Sequence, residues 1–137
     1  MGIRTGISGV ALVRAADAML RCLGGEEISL LLPVVNVAGD PAAQLGLVDP
    51  GVEEVRISPV IVRNLPTESN GPRRRAEFLV PASGISEQVS ARDFSDAAQL
   101  IDAALGIAYE GDVFHIEGFV TENFSGTAYL YRIVAVE

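Results

Sequence analysis

The sequence predicts a small, mainly β domain of the α+β class: a barrel or sandwich with an N-terminal helix and one inserted helix. Three observations carry this. Apolar, β-branched runs bounded by Gly, Pro and Asn dominate the chain, and the clearest of them fill its last thirty residues. Helical spacing of apolar residues is confined to two segments. A length of 137 residues, 49% of them hydrophobic, suits one core and one domain over residues 1–137. That apolar fraction excludes global disorder, and a chain of this size needs no metal or disulfide staple.

The first element is a helix over about residues 6–23. Thr5 or Ser8 caps it, and Leu12, Ala16, Met19, Leu20 and Leu23 recur on one face. Asp17 and Arg21 form an i,i+4 pair, and Gly24-Gly25 stops the helix. The apolar stripe suits docking on its own domain or on a neighbouring subunit. Cys22, beside Leu20 and Leu23, reads as a small buried thiol. As the only cysteine it leaves no intrachain disulfide or cysteine-rich zinc site.

Ile28–Leu32 is a strand ending at Pro33. Residues 33–51 are mostly loop, with a short strand at Val34–Val37. Val52–Arg63 is β-rich but contains Pro59, which implies an edge strand, a bulge, or two strands meeting at a bend. Asn64–Arg75 (NLPTESNGPRRR) is polar and aperiodic and reads as a long exposed arm. Arg75–Pro81 resumes a strand. A second helix spans about Ser95–Leu105, capped by Ser95 and stopped by Gly106. Ile107–Tyr109 then leads through Glu110-Gly111-Asp112 into Val113–Thr121, and Glu122–Gly126 turns into Thr127–Val136. Both faces of the last strand are apolar, which places it centrally.

The formal charge is −8, from 10 basic and 18 acidic residues, and every basic residue is arginine. From Ala76 onward ten acids face only Arg92 and Arg132. An acidic chain does not bind nucleic acid by neutralising phosphates. The absence of lysine excludes a Walker A loop, and Gly2, Gly6 and Gly9 have the wrong spacing for a dinucleotide fingerprint. The N-terminus lacks the apolar run of a signal peptide, and no segment is long and apolar enough to span a bilayer. The expectation is a soluble intracellular product with no membrane contact, in which the Asn123-Phe124-Ser125 sequon is a chance match.

His115 and Glu117 lie two apart on one strand and point to the same face. They read as a surface pair rather than a metal or acid–base site. No Gly-x-Ser-x-Gly turn supports a nucleophile. Arg73-Arg74-Arg75 is the only basic run, and reads as a solvated rim or a contact with an acidic protein surface. An acidic body with one basic arm suits self-assembly, the arm of one copy meeting the acidic surface of the next.

The C-terminal region Leu100–Glu137 resembles small neck proteins of tailed phages and prophages, the head–tail joining or head-closure group. The residues concerned are Gly111-Asp112-Val113-Phe114-His115-Ile116-Glu117-Gly118, in the place of a strand of the form Phe/Tyr-x-Ile-x-Gly after a glycine turn, and the final apolar strand Tyr129–Val136. Arg75–Val80 resembles the strand before that hairpin. The N-terminal helix is closer to tail-terminator or tail-completion proteins, which set a helix against a sheet. The resemblance implies a non-enzymatic structural component of the virion neck, made in the bacterial cytoplasm. Copies would form a ring between portal or adaptor and tail proteins, with DNA as passing cargo and no cofactor. The arm, with Glu68, Asn70, Arg73, Arg74 and Arg75, is then the candidate inter-subunit or channel loop, and strand edges exposed by Pro59 would pair across subunits. Two other readings compete: a small β-barrel binding module for a ligand or peptide, and a hydrolase using Asp112 and Glu117 with His115.

Overall fold

In the computed structural model, which describes residues 9–34, 51–66 and 73–137, the β-branched runs pair into a closed barrel of six antiparallel strands. The elements run α1 (Gly9–Cys22), β1 (Glu26–Pro33), β2 (Val52–Leu65), β3 (Arg75–Pro81), α2 (Ala82–Ala91), α3 (Ala97–Ala103), β4 (Gly106–Tyr109), β5 (Asp112–Phe124) and β6 (Thr127–Val136). Around the barrel the order is β1-β2-β3-β6-β5-β4, with β4 closing back on β1. The predicted class and the central position of the last strand both hold: β6 lies between β3 and β5. No helix among the described residues is long and apolar enough to cross a membrane.

Two long strands are shared between neighbours. β2 pairs with β1 through Val52–Ile57 and Val60, then with β3 through Ile61–Leu65. Pro59, buried and preceded by a cis peptide bond, sits at that changeover. Of the three expectations for this proline the bulge is seen: Val60 and Ile57 stand opposite Glu26 and Ile28, so Ser58 and Pro59 together face one residue of β1, and β2 changes partner there. β2 is an interior strand and Pro59 exposes no edge. Likewise β5 pairs with β4 only over Asp112–Phe114 and with β6 from His115 to Phe124. The two β5 connections are tight two-residue turns, Glu110-Gly111 and Ser125-Gly126, in which all four residues have positive φ (51°, 83°, 51° and 79°). This mirror-image turn matches strand twist and explains the glycine at each second position. Asp112 therefore belongs to β5 rather than to the turn.

Alternation along the strands sends Leu30, Leu32, Val55, Ile57, Phe78, Val80, Ile107, Phe114, Ile133 and Ala135 into one continuous core. Phe78 packs edge-on against both Tyr109 and Phe114, with centroids 6.0 and 5.5 Å apart. One end of the barrel is stoppered by α2 and α3 through Ala82, Ile85, Leu100 and Ile101. The helix α2 has no counterpart in the expectations above. Its Ser- and Gly-bearing sequence has weak intrinsic propensity, and it is held by Ile85 and Val89 packing on the core.

Four further expectations need correction. The cap of α3 is Asp96, whose side chain accepts from the Gln99 amide at 2.8 Å, not Ser95. Gly106 does not stop that helix: Ala104 ends it in extended geometry. Gly106 is instead required because a β-carbon there would lie 2.7 Å from the Phe114 carbonyl oxygen. Cys22 is exposed, not buried. On α1 only Ala16 and Leu20 of the predicted stripe are buried, while Met19 and Leu23 are exposed, because the helix lies on the outside of the barrel. Gly24, at φ 100°, does terminate α1 as expected. Its caps Thr5 and Ser8 and most of the Val34–Val37 strand lie outside the described residues, and Val34 itself is not in a strand.

Phe114 stands at the centre of this packing. Phe114→Ala is expected to cost about 3–5 kcal/mol in urea unfolding. Gly106→Ala is expected to lower stability as well, although it adds apolar surface, because a carbonyl rather than a side chain occupies the space. Equal midpoints for Gly106→Ala and the parent chain would contradict the close approach.

Candidate functional site: the arginine root of the β2–β3 arm

At the barrel end opposite α2 and α3, the arm between β2 and β3 returns through Arg73, Arg74 and Arg75. Strand pairing fixes where they lie. Arg75 opposes Leu65 and Val136 in the ladder, and the Arg74 carbonyl accepts from the Glu137 amide at 2.8 Å. The arm is shorter than the expected 64–75: Asn64 and Leu65 complete β2, and Arg75 begins β3. Glu68 and Asn70 lie outside the described residues.

The three arginines have three different environments. The Arg74 guanidinium sits 5.6 Å from the centroid of the Phe114 ring, so it covers the aromatic core at this mouth of the barrel. It also donates to Asn64 Oδ1 at 3.3 Å from both Nε and Nη2. Its longer ion pairs run to Glu110 at 3.8 Å and Asp112 at 3.7 Å. Arg75 points outward and donates through Nη2 to Glu117 at 2.8 Å, while its buried Nε has no hydrogen-bond partner among the described residues. Arg73 is exposed, and none of the described acids pairs with it.

A ladder of charges continues around the outer face. Glu77, almost wholly buried, meets Arg63 at 3.3 Å and Arg132 at 3.1 Å, and Arg132 also reaches Glu122 at 3.2 Å. These four residues cross four adjacent strands, β2, β3, β6 and β5, with alternating sign. The surplus acids of the C-terminal half are thereby sorted. Glu77, Glu110, Asp112, Glu117 and Glu122 each have an arginine partner. Glu87, Asp93, Asp96 and Asp102 are exposed on and between α2 and α3. The one arginine of that segment, Arg92, is committed to Glu53 by a two-pronged bond of 2.7 and 2.6 Å.

His115 and Glu117 are both exposed on β5, but no hydrogen bond or ion pair among the described residues joins them. The ladder steps by one residue between Ile116 and Gly118, and Glu117 turns to Arg75. Asp112 faces Arg74 instead, so the structure does not gather Asp112, Glu117 and His115 into one site. Among the described residues no group of three or more His, Cys, Asp or Glu side chains could hold a metal ion. Sequence reasoning missed that Arg74 and Arg75 serve their own chain. The signal was present in the short polar interval between two strands, nine residues from 66 to 74, which joins neighbouring antiparallel strands and so brings the arginines back to the mouth where β2 ends.

Comparison with known proteins finds no match, whether to a family model, a curated protein or a solved structure.

Two shifted ionisations, Glu53 beside α2 and Tyr109 at the end of β4, make the fold testable by pH. The Arg92 hydrogen bond holds Glu53 below its ordinary value near 4.5. Its contribution is present above the unfolded value and is lost as pH falls through the folded one. The stability difference between the parent and Glu53→Gln should therefore shrink on acidification from pH 5 downward. Burial, together with a 2.8 Å bond to Glu26, raises the Tyr109 phenol above its ordinary value of 10.0. Its contribution is complete below the unfolded value and is lost as pH rises beyond it. Tyr109→Phe should cost about 1 kcal/mol at neutral pH and flatten the alkaline fall in stability. At the arm, Arg74→Ala should cost about 1–2 kcal/mol and Arg73→Ala less than about 0.5 kcal/mol. Equal losses would contradict the division of roles.

Proposed function

We propose that this protein is a self-assembling structural adaptor of the phage or prophage neck, a ring that joins portal and tail proteins around a DNA channel. The observation that carries this reading is the group of carboxylates, unpaired with any arginine among the described residues, exposed at the α2–α3 end of the barrel. At the α2–α3 end Glu87, Asp93, Asp96 and Asp102 stand exposed while Arg92 is occupied by Glu53. At the other end Glu110, Asp112 and Glu117 are matched by arginines, Arg73 is left over, and Glu137 is exposed without an ion pair among the described residues. Copies arranged with their α2–α3 ends towards an axis would present carboxylates to a passing duplex and repel its phosphates rather than trap them. The barrel itself is filled by Phe78, Phe114, Ile107 and Ile133, so a channel would lie between copies and not through one.

A second support is α1, which buries only Ala16 and Leu20 and is tied to α2 by the Ser83 hydroxyl donating to Asp17, with Val10, Met19 and Leu23 exposed. Beside it a shallow groove of about 180 Å³ is lined by Leu12, Ala15, Ala16, Met19 and Tyr129. Apolar surface of this kind fits contact with another subunit. The sequence resemblance of Leu100–Glu137 supplies the class of assembly, and its hairpin corresponds to β5 and β6. The arm no longer needs an acidic neighbour to balance all three arginines, since Arg74 and Arg75 are occupied within the chain; Arg73 alone remains for a contact between copies.

The competing reading, a binding module for a ligand or peptide, would rest on the open groove of about 560 Å³ between α1 and α2. It is lined by Val10, Val13, Arg14, Ser83, Ser86 and Thr127, among others. Native mass measurement with negative-stain imaging separates the two. The adaptor reading expects closed rings of defined subunit number with a central channel. Particles that stay monomeric at every concentration, alone and with portal and tail proteins added, overturn it.

A further inference from the structure

Barrel closure leaves one strand half paired. β4 covers β5 only at Asp112, Val113 and Phe114. From His115 to Phe124 the ladder to β6 continues, but among the described residues no strand lies on the other side. A free strand edge presents a row of backbone donors and acceptors that fits another extended chain. The exposed positions include Gly118, Val120 (58% exposed) and Phe124 (51% exposed). A β-carbon on Gly118 would meet nothing within 4 Å. The Thr121 carbonyl oxygen accepts from the side chain of Asn123, two residues away, at a long 3.5 Å.

Natural edges are usually defended by lysine, proline, bulges or inward-pointing charge. The ladder to β6 is irregular at Ile116/Gly118 and at Glu122/Asn123, which leaves Gly118–Glu122 as the regular stretch of this edge. The segment His115–Phe124 (HIEGFVTENF) has no lysine, arginine or proline. Its acids do not defend it either. Glu117 is neutralised by Arg75 at 2.8 Å and Glu122 by Arg132 at 3.2 Å, both within the same chain. Two copies of this edge can therefore approach without unscreened like charges meeting.

We propose that the unpaired edge of β5 binds the same edge of a second copy, antiparallel and centred on Val120. Val120 then meets its own counterpart and Gly118 lies opposite Glu122, both within the regular stretch between the two irregularities. The contact is two-fold, so each chain offers the same surface, and closure of a ring uses a different one, with the exposed face of α1 available. The inference rests on the reading that copies of this chain self-associate, and it names the strand through which one contact forms.

The test uses the full chain with Cys22→Ser, to remove the exposed native thiol, and Val120→Cys added. In an antiparallel pair, directly opposed residues that do not exchange hydrogen bonds lie close enough for a disulfide. Mild oxidation is expected to give covalent dimers. Val113→Cys in the same background, exposed but on the part of β5 already paired with β4, is expected to stay monomeric on denaturing gels. In sedimentation velocity, Val120→Lys should weaken dimerisation at least tenfold with an unchanged circular dichroism spectrum and thermal midpoint. Oligomers that persist in Val120→Lys, or a Val120→Cys chain that associates without crosslinking, overturn the edge pairing and leave the ring reading standing. Edge-linked dimers that never build rings overturn the ring and leave the edge pairing. A parent chain that is monomeric throughout overturns both.

Discussion

The barrel closes through three residue pairs between β1 and β4, Ser29 with Ala108, Leu30 with Ile107 and Leu31 with Gly106, reinforced by the Leu105 amide donating to the Leu31 carbonyl at 2.7 Å. So short a seam works because β4 is pressed closely against β5, where Gly106 admits the Phe114 carbonyl. That approach sets Phe114 inside, against Phe78 and beneath Arg74. Closure, the aromatic centre and the capped mouth are thus one linked arrangement. The same short seam leaves the rest of β5 without a second neighbour.

Charge follows the topology rather than the net sum. Strands distant in sequence bring Arg63, Glu77, Arg132 and Glu122 into one ladder, and the hairpin returns Arg74 and Arg75 to the acids of β5 and its preceding turn. Partly exposed pairs of this kind contribute little stability singly. Their consequence is spatial: they neutralise much of the barrel wall, while Glu87, Asp93, Asp96 and Asp102 stay exposed on α2, α3 and the turn between them.

Elements with strong local signals were legible. The strand at Ile28–Leu32, the resumption of β at Arg75, the β5–β6 hairpin and the end of α1 at Gly24 all follow from β-branched runs, turn residues and the freedom of glycine. Local chemistry also narrowed Pro59 to three geometries, among which only the surrounding strands chose. Less legible were features that depend on a partner far along the chain. The helix Ala82–Ala91 has weak propensity and is supported by the core beneath it. Gly106 looked like a helix stop because its contact, the Phe114 carbonyl, is invisible in sequence. Cys22 and Met19 looked buried because a helical stripe does not reveal how much of its width a convex barrel wall can cover.

The sequence by itself determined the class: one core, six principal β segments with two sharp turns, an amphipathic N-terminal helix, and a marked excess of acid after residue 75. These follow from periodicity, turn chemistry and composition, which act within a few residues. Only the tertiary structure decided that the barrel closes, that Arg74 covers Phe114 while Arg75 faces Glu117, and that four acids without an arginine partner among the described residues stand together on α2, α3 and the turn between them. Those outcomes depend on strand register between segments as much as 83 residues apart, Glu26 with Tyr109 among them. Register is set by how all the side chains fill one interior together, and no local stretch carries that information.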